Sequence, residues 1–94
     1  MSKVQRVALS LEQQKRNKIK ILIEWINGRM HSKELKQEYV ARQLNISQAA
    51  FSIRMNPKTY EKNKRADPFS FGDLLILFNI LEATPEEKER LTTL

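Results

Sequence analysis

Apolar residues recur at the spacing of an α-helix along most of this chain, and that pattern leaves few other folds open. The clearest stripe places five side chains three or four residues apart, on one helical face: Ile19, Leu22, Ile23, Ile26 and Met30. Charged residues occupy the other faces of the same segment. The pattern predicts a first helix that begins at Ser10, a capping residue, and ends near Gly28 or one turn beyond it.

Later helices are predicted where residues that can cap a helix N-terminus precede helix-forming segments. The candidate caps are Ser32, Ser47, Ser70 and Thr84. The second helix is expected to run through Gln43, and the third from Gln48 to about Met55, followed by a polar loop over residues 56–68. The spacing of caps and apolar residues therefore predicts five helices and no strand.

The fourth helix has an almost wholly apolar body, which predicts that it lies buried at the centre of the bundle. Its apolar residues are Leu74, Leu75, Leu77, Phe78 and Leu81. A short fifth helix begins at Thr84, with Pro85 in its first turn and Leu91 facing inward. Residues 1–9 are expected to form a flexible N-terminal arm before a single domain over residues 10–94.

Composition excludes several classes of function. The 94 residues include no cysteine and one histidine, His31, so a disulfide scaffold, a Cys-ligated zinc site and a thiol nucleophile are ruled out. Glycine occurs only at Gly28 and Gly72, which leaves no glycine-rich phosphate loop. No nucleophile stands with a base and no carboxylates are paired, so we expect no enzyme, cofactor, metal or small-molecule ligand.

Charge is distributed unevenly along the chain. Lys and Arg number 17 against 11 Asp and Glu, a net charge of +6, and the acidic excess falls in residues 68–94. A basic first two-thirds is typical of proteins that bind polyanions, although a solvated basic surface is the plainer alternative. No apolar run approaches the length of a membrane span and no leader segment is evident, so a soluble cytoplasmic protein is expected.

The segment from Gln37 to Arg54 has the pattern of two short helices joined by a tight turn. Ala41 is small where the helices cross, Asn45 occupies the turn position that needs a left-handed backbone, and Ser47 caps the second helix. The wedge between the helices would be filled by Val40, Leu44, Ile46 and Phe51. Two short helices joined in this way can form a DNA-binding motif, and an ordinary helical hairpin in a structural bundle is the alternative.

This segment resembles the helix-turn-helix of the lambda-repressor-like DNA-binding family, also called XRE or Cro-type, in its phage-derived form. The positions that carry the resemblance are Gln37, Ala41, Ile46, Ser47, Gln48 and Phe51. The resemblance implies a compact five-helix bundle over about residues 15–90. The chain departs from the family pattern at Asn45, where glycine is usual, at Arg54, where a core aliphatic residue is usual, and in a longer loop after the third helix. Met55 is expected to fill the core in place of the aliphatic residue that the family has at the position of Arg54.

The resemblance also implies which side chains face DNA. Base edges in the major groove would be contacted by Gln48, Ala49, Ser52 and Ile53. Backbone phosphates would be held by Gln37, Arg54, Asn56 and Lys58. Ser47 also belongs to the implied DNA-binding set, since it caps the helix whose N-terminal turn would point into the groove. Gln37 would also brace Gln48. Arg54 is expected to be exposed, since an unpaired buried arginine is very costly.

The resulting hypothesis is a sequence-specific, double-stranded DNA-binding transcriptional regulator, a phage or mobile-element repressor. A chain this small makes few base contacts, so a homodimer on a palindromic operator is expected. Candidate interface residues are Ile21, Trp25, Leu91 and Leu94, although for Trp25 a core position is favoured over an interface one. The alternative function is a helical protein-binding module, such as an antitoxin or accessory factor, that meets its partner through the apolar fourth helix or the C-terminal tail.

Overall fold

In a computed structural model, the predicted helical segments are joined into a bundle around the long N-terminal helix. The structure describes the backbone of residues 3–62 and 66–93, and the side chains from Gln13 onward within those ranges. Over these residues the prediction of an all-α fold is confirmed, and no strand occurs. The helices are α1 (Lys3–Ser32), α2 (Gln37–Gln43), α3 (Gln48–Arg54), α4 (Lys58–Lys62), α5 (Phe71–Ile80) and α6 (Pro85–Thr92).

The first helix is longer than the sequence pattern predicts. It begins at Lys3, so Ser10 lies inside the helix and does not cap it, and residues 3–9, expected to form an arm before the helix, belong to α1. No proline or glycine precedes Gly28 in this segment, and each added residue gains a hydrogen bond once a helix has formed. Met1 and Ser2 lie outside the described residues.

The end of α1 also corrects the predicted start of α2. Glu34 adopts a left-handed backbone with φ 57°, and the Leu35 amide donates to the Met30 carbonyl at 2.8 Å, which closes the last turn of α1. Ser32 is therefore the last residue of α1 and not a cap. The extended residue before α2 is Lys36, whose side chain makes no capping bond.

The core lies between α1 and the five shorter helices. Its fully buried side chains are Ile26, Val40, Phe51, Leu77 and Leu81. Met55 is buried as well, so it takes the core position that Arg54 does not fill. The predicted stripe on α1 faces this core along its whole length from Ile19 to Met30.

The polar stretch after α3 contains a sixth helix that the sequence pattern did not predict. The short α4 (Lys58–Lys62) forms inside the segment expected to be a loop, and this is why the bundle has more than five helices. Its single aromatic residue, Tyr60, is buried against the core. A single buried ring can hold a helical turn against the core. It leaves no periodic pattern of apolar residues in the sequence, so the pattern does not predict this helix.

The apolar α5 is not the buried central helix that its composition predicts. Leu77 and Phe78 face the core, but Phe71 is 72% exposed, Leu75 is 53% exposed and Ile76 is 38% exposed. Within the described part of the chain, no further helix lies beyond α5, so only one of its sides is covered. The residues on its outer side, including Gly72 and Asn79, carry no charge.

Trp25, Arg29 and Glu87 join α1 to the start of α6. The Trp25 indole donates to the Glu87 carboxylate at 2.7 Å, and an Arg29 nitrogen lies 2.5 Å from the same oxygen. Trp25 also meets Phe78 edge to face, and Leu91 is buried. Trp25 and Leu91, predicted as candidate interface residues, thus pack within the chain. Ile21 is half-exposed, and Leu94 lies outside the described residues.

Candidate nucleic-acid interface

The turn between α2 and α3 has the backbone that the sequence predicts. Asn45 is left-handed with φ 59°, and the Ile46 amide donates to the Ala41 carbonyl at 3.0 Å. Ala41 is buried where the two helices meet, as its small size requires. The chain therefore reverses within a few residues and places α3 directly against α2.

Ser47 caps α3, as predicted from the sequence. Its side-chain oxygen accepts a hydrogen bond from the Ala50 amide at 3.0 Å, while Ser47 itself stays exposed. This bond fixes the first turn of α3 by satisfying one of the amides that have no partner inside a helix. The cap therefore holds the backbone of the first turn, to which Gln48 belongs, in a defined position.

One side of α3 is held in the core and the other is presented to solvent. Phe51 and Met55 are buried. The four residues predicted to contact bases are all exposed: Gln48, Ala49, Ser52 and Ile53. They fall on adjacent helical positions, so the structure brings them together on one continuous face, which we call the α3 outer face. Ile53 is 60% exposed, an unusual position for a branched aliphatic side chain.

Gln37 and Arg54 lie at the two ends of the helix pair and are half-buried. Gln37 is the first residue of α2, and its predicted bracing of Gln48 stays a prediction. The Arg54 side chain is 36% exposed and its guanidinium lies 3.3 Å from the Asp73 carboxylate of α5. Arg54 is therefore not buried without a partner, and any phosphate that it contacts would share the guanidinium with Asp73.

Asn56 and Lys58 follow α3 on the surface. Both are exposed, and the Asn56 side-chain oxygen accepts a hydrogen bond from the Lys58 amide at 3.0 Å. This contact gives Asn56 a structural task in starting α4, beside its predicted phosphate contact. The sequence carried a signal for it, because Asn followed by Pro favours the start of a turn.

α4 is attached to the C-terminal end of α3 by two side chains that the sequence analysis did not single out. The Thr59 hydroxyl donates to the Ile53 carbonyl at 2.8 Å, and the Tyr60 hydroxyl donates to the Arg54 carbonyl at 2.5 Å. The Tyr60 bond gives a partner to a carbonyl in the last turn of α3, where helical partners run out, and the Thr59 bond adds to the one that the Ile53 carbonyl accepts from the Asn56 amide at 3.1 Å. Burial raises the pKa of Tyr60, which keeps its hydroxyl protonated as a donor.

Comparisons with known proteins identify no relative from which the roles of these residues could be inferred. No family model, curated protein or solved structure matches the chain. Over the described ranges, none of the helices combines the length and apolar character needed to cross a bilayer. The same ranges contain no group of His, Cys, Asp and Glu side chains arranged to hold a metal ion.

Proposed function

We propose that this protein binds double-stranded DNA sequence-specifically and acts in the cytoplasm as a small transcriptional regulator of the repressor type. The observation that supports this best is the α3 outer face. It presents an amide, a hydroxyl and two apolar side chains on a helix that Ser47 caps and Phe51 anchors in the core. Such a helix suits the width of the major groove of DNA.

The chemistry of the α3 outer face matches what base edges offer. The Gln48 amide can both donate to and accept from adenine, while Ala49 and Ile53 can contact the methyl group of thymine. Ser52 can donate to or accept from a base edge or a phosphate oxygen. This combination favours recognition of sites that contain A·T pairs, where the exposed Ile53 would contact a thymine methyl group.

Backbone contacts would set the position of α3 in the groove. Lys58 is exposed beyond the end of α3, and Arg54 is half-exposed at that end. Gln37 and Ser47 lie at the starts of the two helices, and Asn56 lies between α3 and α4. Phosphates held by these residues would fix orientation without contributing to the choice of sequence.

The α3 outer face offers few base contacts, so we propose that two copies bind a palindromic operator. Ile21 is the one predicted interface residue that the described structure leaves half-exposed. Sedimentation at high concentration, free and on DNA, tests this part of the proposal. A monomer under both conditions would remove the dimer without affecting the assignment of α3.

The decisive experiment is a selection from random DNA duplexes at physiological salt, with excess competitor. Wild type would be compared with a Gln48→Ala, Ser52→Ala double variant. We expect wild type to enrich one motif, and the double variant to lose that motif while keeping weak binding that salt abolishes.

A matched control separates loss of base recognition from general damage. The Asn27→Ala, Ser32→Ala double variant removes an amide and a hydroxyl from the exposed side of α1, and it should enrich the wild-type motif. Circular dichroism of all three proteins should show equal helix content. Failure of wild type to enrich any motif would contradict the proposal.

A protein-binding module is the second candidate function, and the exposed apolar side of α5 favours it. Phe71, Leu75 and Ile76 leave apolar surface without a cover within the described residues. Salt distinguishes the two functions, because DNA binding through several phosphate contacts weakens by orders of magnitude between low and physiological salt. An apolar protein interface would change little over the same range.

A further inference from the structure

Cations of this chain divide into two groups according to their partners. The first group forms ion pairs with acids, in the pairs Lys15–Asp67, Arg29–Glu87, Lys33–Glu82, Arg42–Glu38 and Arg54–Asp73. A second group makes no ion pair within the part of the chain that the structure describes. Four of its members lie on α1 and α4: Arg16, Lys20, Lys58 and Lys62. All four are exposed, so their charge is open to an external anion.

α1 and α4 face each other across a groove of about 350 Å³, whose lining includes the apolar side chains of Ile19 and Pro57. Arg16, Asn17 and Lys20 line it on the α1 side, and Tyr60 and Glu61 line it on the α4 side. The groove thus combines two cations and the amides of Gln13 and Asn17 with one carboxylate. Its balance is positive, and its walls carry the donors that a phosphate oxygen accepts from.

The groove is tied to the end of α3. Tyr60 lines it and at the same time donates to the Arg54 carbonyl, while Thr59 donates to the Ile53 carbonyl. Ile53 belongs to the α3 outer face. α4 therefore connects the face proposed to read bases with the groove that the cations of α1 line.

We propose that Arg16 and Lys20 bind backbone phosphates of the same DNA duplex, next to the contacts of Lys58, so that the interface extends from α3 across α4 onto α1. This inference rests on the proposed DNA-binding function. A polyanion with regularly spaced phosphates fits it, because the exposed cations lie on two elements, with Arg16 and Lys20 in the groove and Lys58 and Lys62 on α4 outside its lining. The contacts would add affinity without adding sequence preference.

The test measures binding against salt for the motif duplex that wild type selects and for a duplex of unrelated sequence. The variant is Arg16→Gln, Lys20→Gln, and the matched control is Lys88→Gln, Arg90→Gln, which removes two exposed cations from α6. Losing two phosphate contacts should reduce the slope of log affinity against log salt by about 1.8. The weakening between 50 and 200 mM salt should then be about 12-fold smaller than for wild type.

We expect the Arg16→Gln, Lys20→Gln variant to show this change on both duplexes while selecting the wild-type motif. The α6 control should keep the wild-type slope. An unchanged slope in the α1 variant, with motif binding intact, would overturn the α1 contact and leave the proposed function standing. An equal reduction of the slope in the α6 control would show that the effect comes from net charge alone. That result would also overturn the α1 contact. If wild type binds neither duplex, the proposed function and this inference fail together.

Discussion

The guanidinium of Arg54, the last residue of α3, lies 3.3 Å from the carboxylate of Asp73 in the first turn of α5. The same carboxylate accepts from the Ser70 amide, and the Ser70 hydroxyl accepts from the Asp73 amide at 3.1 Å. One acidic side chain therefore both caps α5 and ties α5 to the helix proposed to enter the DNA groove. The position of that helix depends on the start of α5 through this pair.

Asp73→Asn should separate the two tasks of this side chain, because asparagine keeps a capping oxygen and removes the charge. We expect a loss of about 0.2–1 kcal/mol in the free energy of unfolding, since both partners are partly exposed. Asp73→Ala should lose about 1 kcal/mol more through the missing capping bond. Urea denaturation measures both. In a double-mutant cycle, Arg54→Gln should have little further effect on stability in the Asp73→Asn background, and additive losses would exclude coupling between the two residues.

Glu87 should make stability depend on pH in the acidic range. Bonds from the Thr84 amide and the Trp25 indole, together with Arg29, lower the pKa of the Glu87 carboxyl from 4.5 to about 2. Because the folded state holds the charged form, its stabilising effect is complete above pH 4.5 and is lost as pH falls toward 2.

The measurement is urea denaturation at several values of pH, with Glu87→Gln compared with wild type. Glu87→Gln should be less stable at neutral pH, and its stability should fall less steeply than that of wild type as the solution is acidified. Glu86→Gln removes an exposed charge from the same turn and is the control, expected to follow wild type. Parallel curves for wild type and Glu87→Gln would contradict the assignment.

Glu34 should be improved by glycine, because its left-handed backbone is strained for a residue with a side chain. We expect Glu34→Gly to raise the free energy of unfolding by about 0.5–1 kcal/mol. Glu82 has the same backbone with φ 53°, but Lys33 donates to its carboxylate and lowers the pKa of Glu82. Glu82→Gly should therefore gain less. Thermal denaturation compares the two variants, and destabilisation by Glu34→Gly would show that its side chain contributes more than the strain costs.

Phe51 and Ile53 should separate stability from DNA binding. Phe51 is fully buried, so Phe51→Ala is expected to cost about 3–5 kcal/mol by leaving a cavity. Ile53→Ala removes a side chain that is 60% exposed, and it should change the free energy of unfolding by less than about 0.5 kcal/mol. Under the proposed function, Ile53→Ala should still weaken binding to the selected motif. A stable Ile53→Ala protein with unchanged motif affinity would remove Ile53 from the interface.

Local signals along the chain were sufficient for the helix starts that depend on neighbours in sequence. Ser47, Ser70 and Thr84 each accept from an amide three residues later, so the groups that form the cap lie within one turn. The left-handed turn at Asn45 was predictable for the same reason, since its small polar side chain tolerates that backbone.

Local signals were insufficient where a segment could adopt either of two structures, such as the start of a new helix or the continuation of an existing one. Ser10 and Ser32 have the residue type of a cap but lie inside α1, because a helix that is already propagating gains more by continuing. Tyr60 gave no periodic pattern, yet its contact with the core makes α4 a helix. Propagation of α1 decided the outcome at the two serines, and packing against distant parts of the chain decided it at Tyr60.

The sequence by itself determined that the chain is helical and where most of its caps and its left-handed turn lie, because each depends on residues within one or two turns. Only the tertiary structure decided that α5 exposes one apolar side and that Trp25 and Arg29 converge on Glu87. It also decided that the cations of α1 lie across a groove from α4. These relationships join residues that are far apart in sequence, and the packing of helices against one another fixes them.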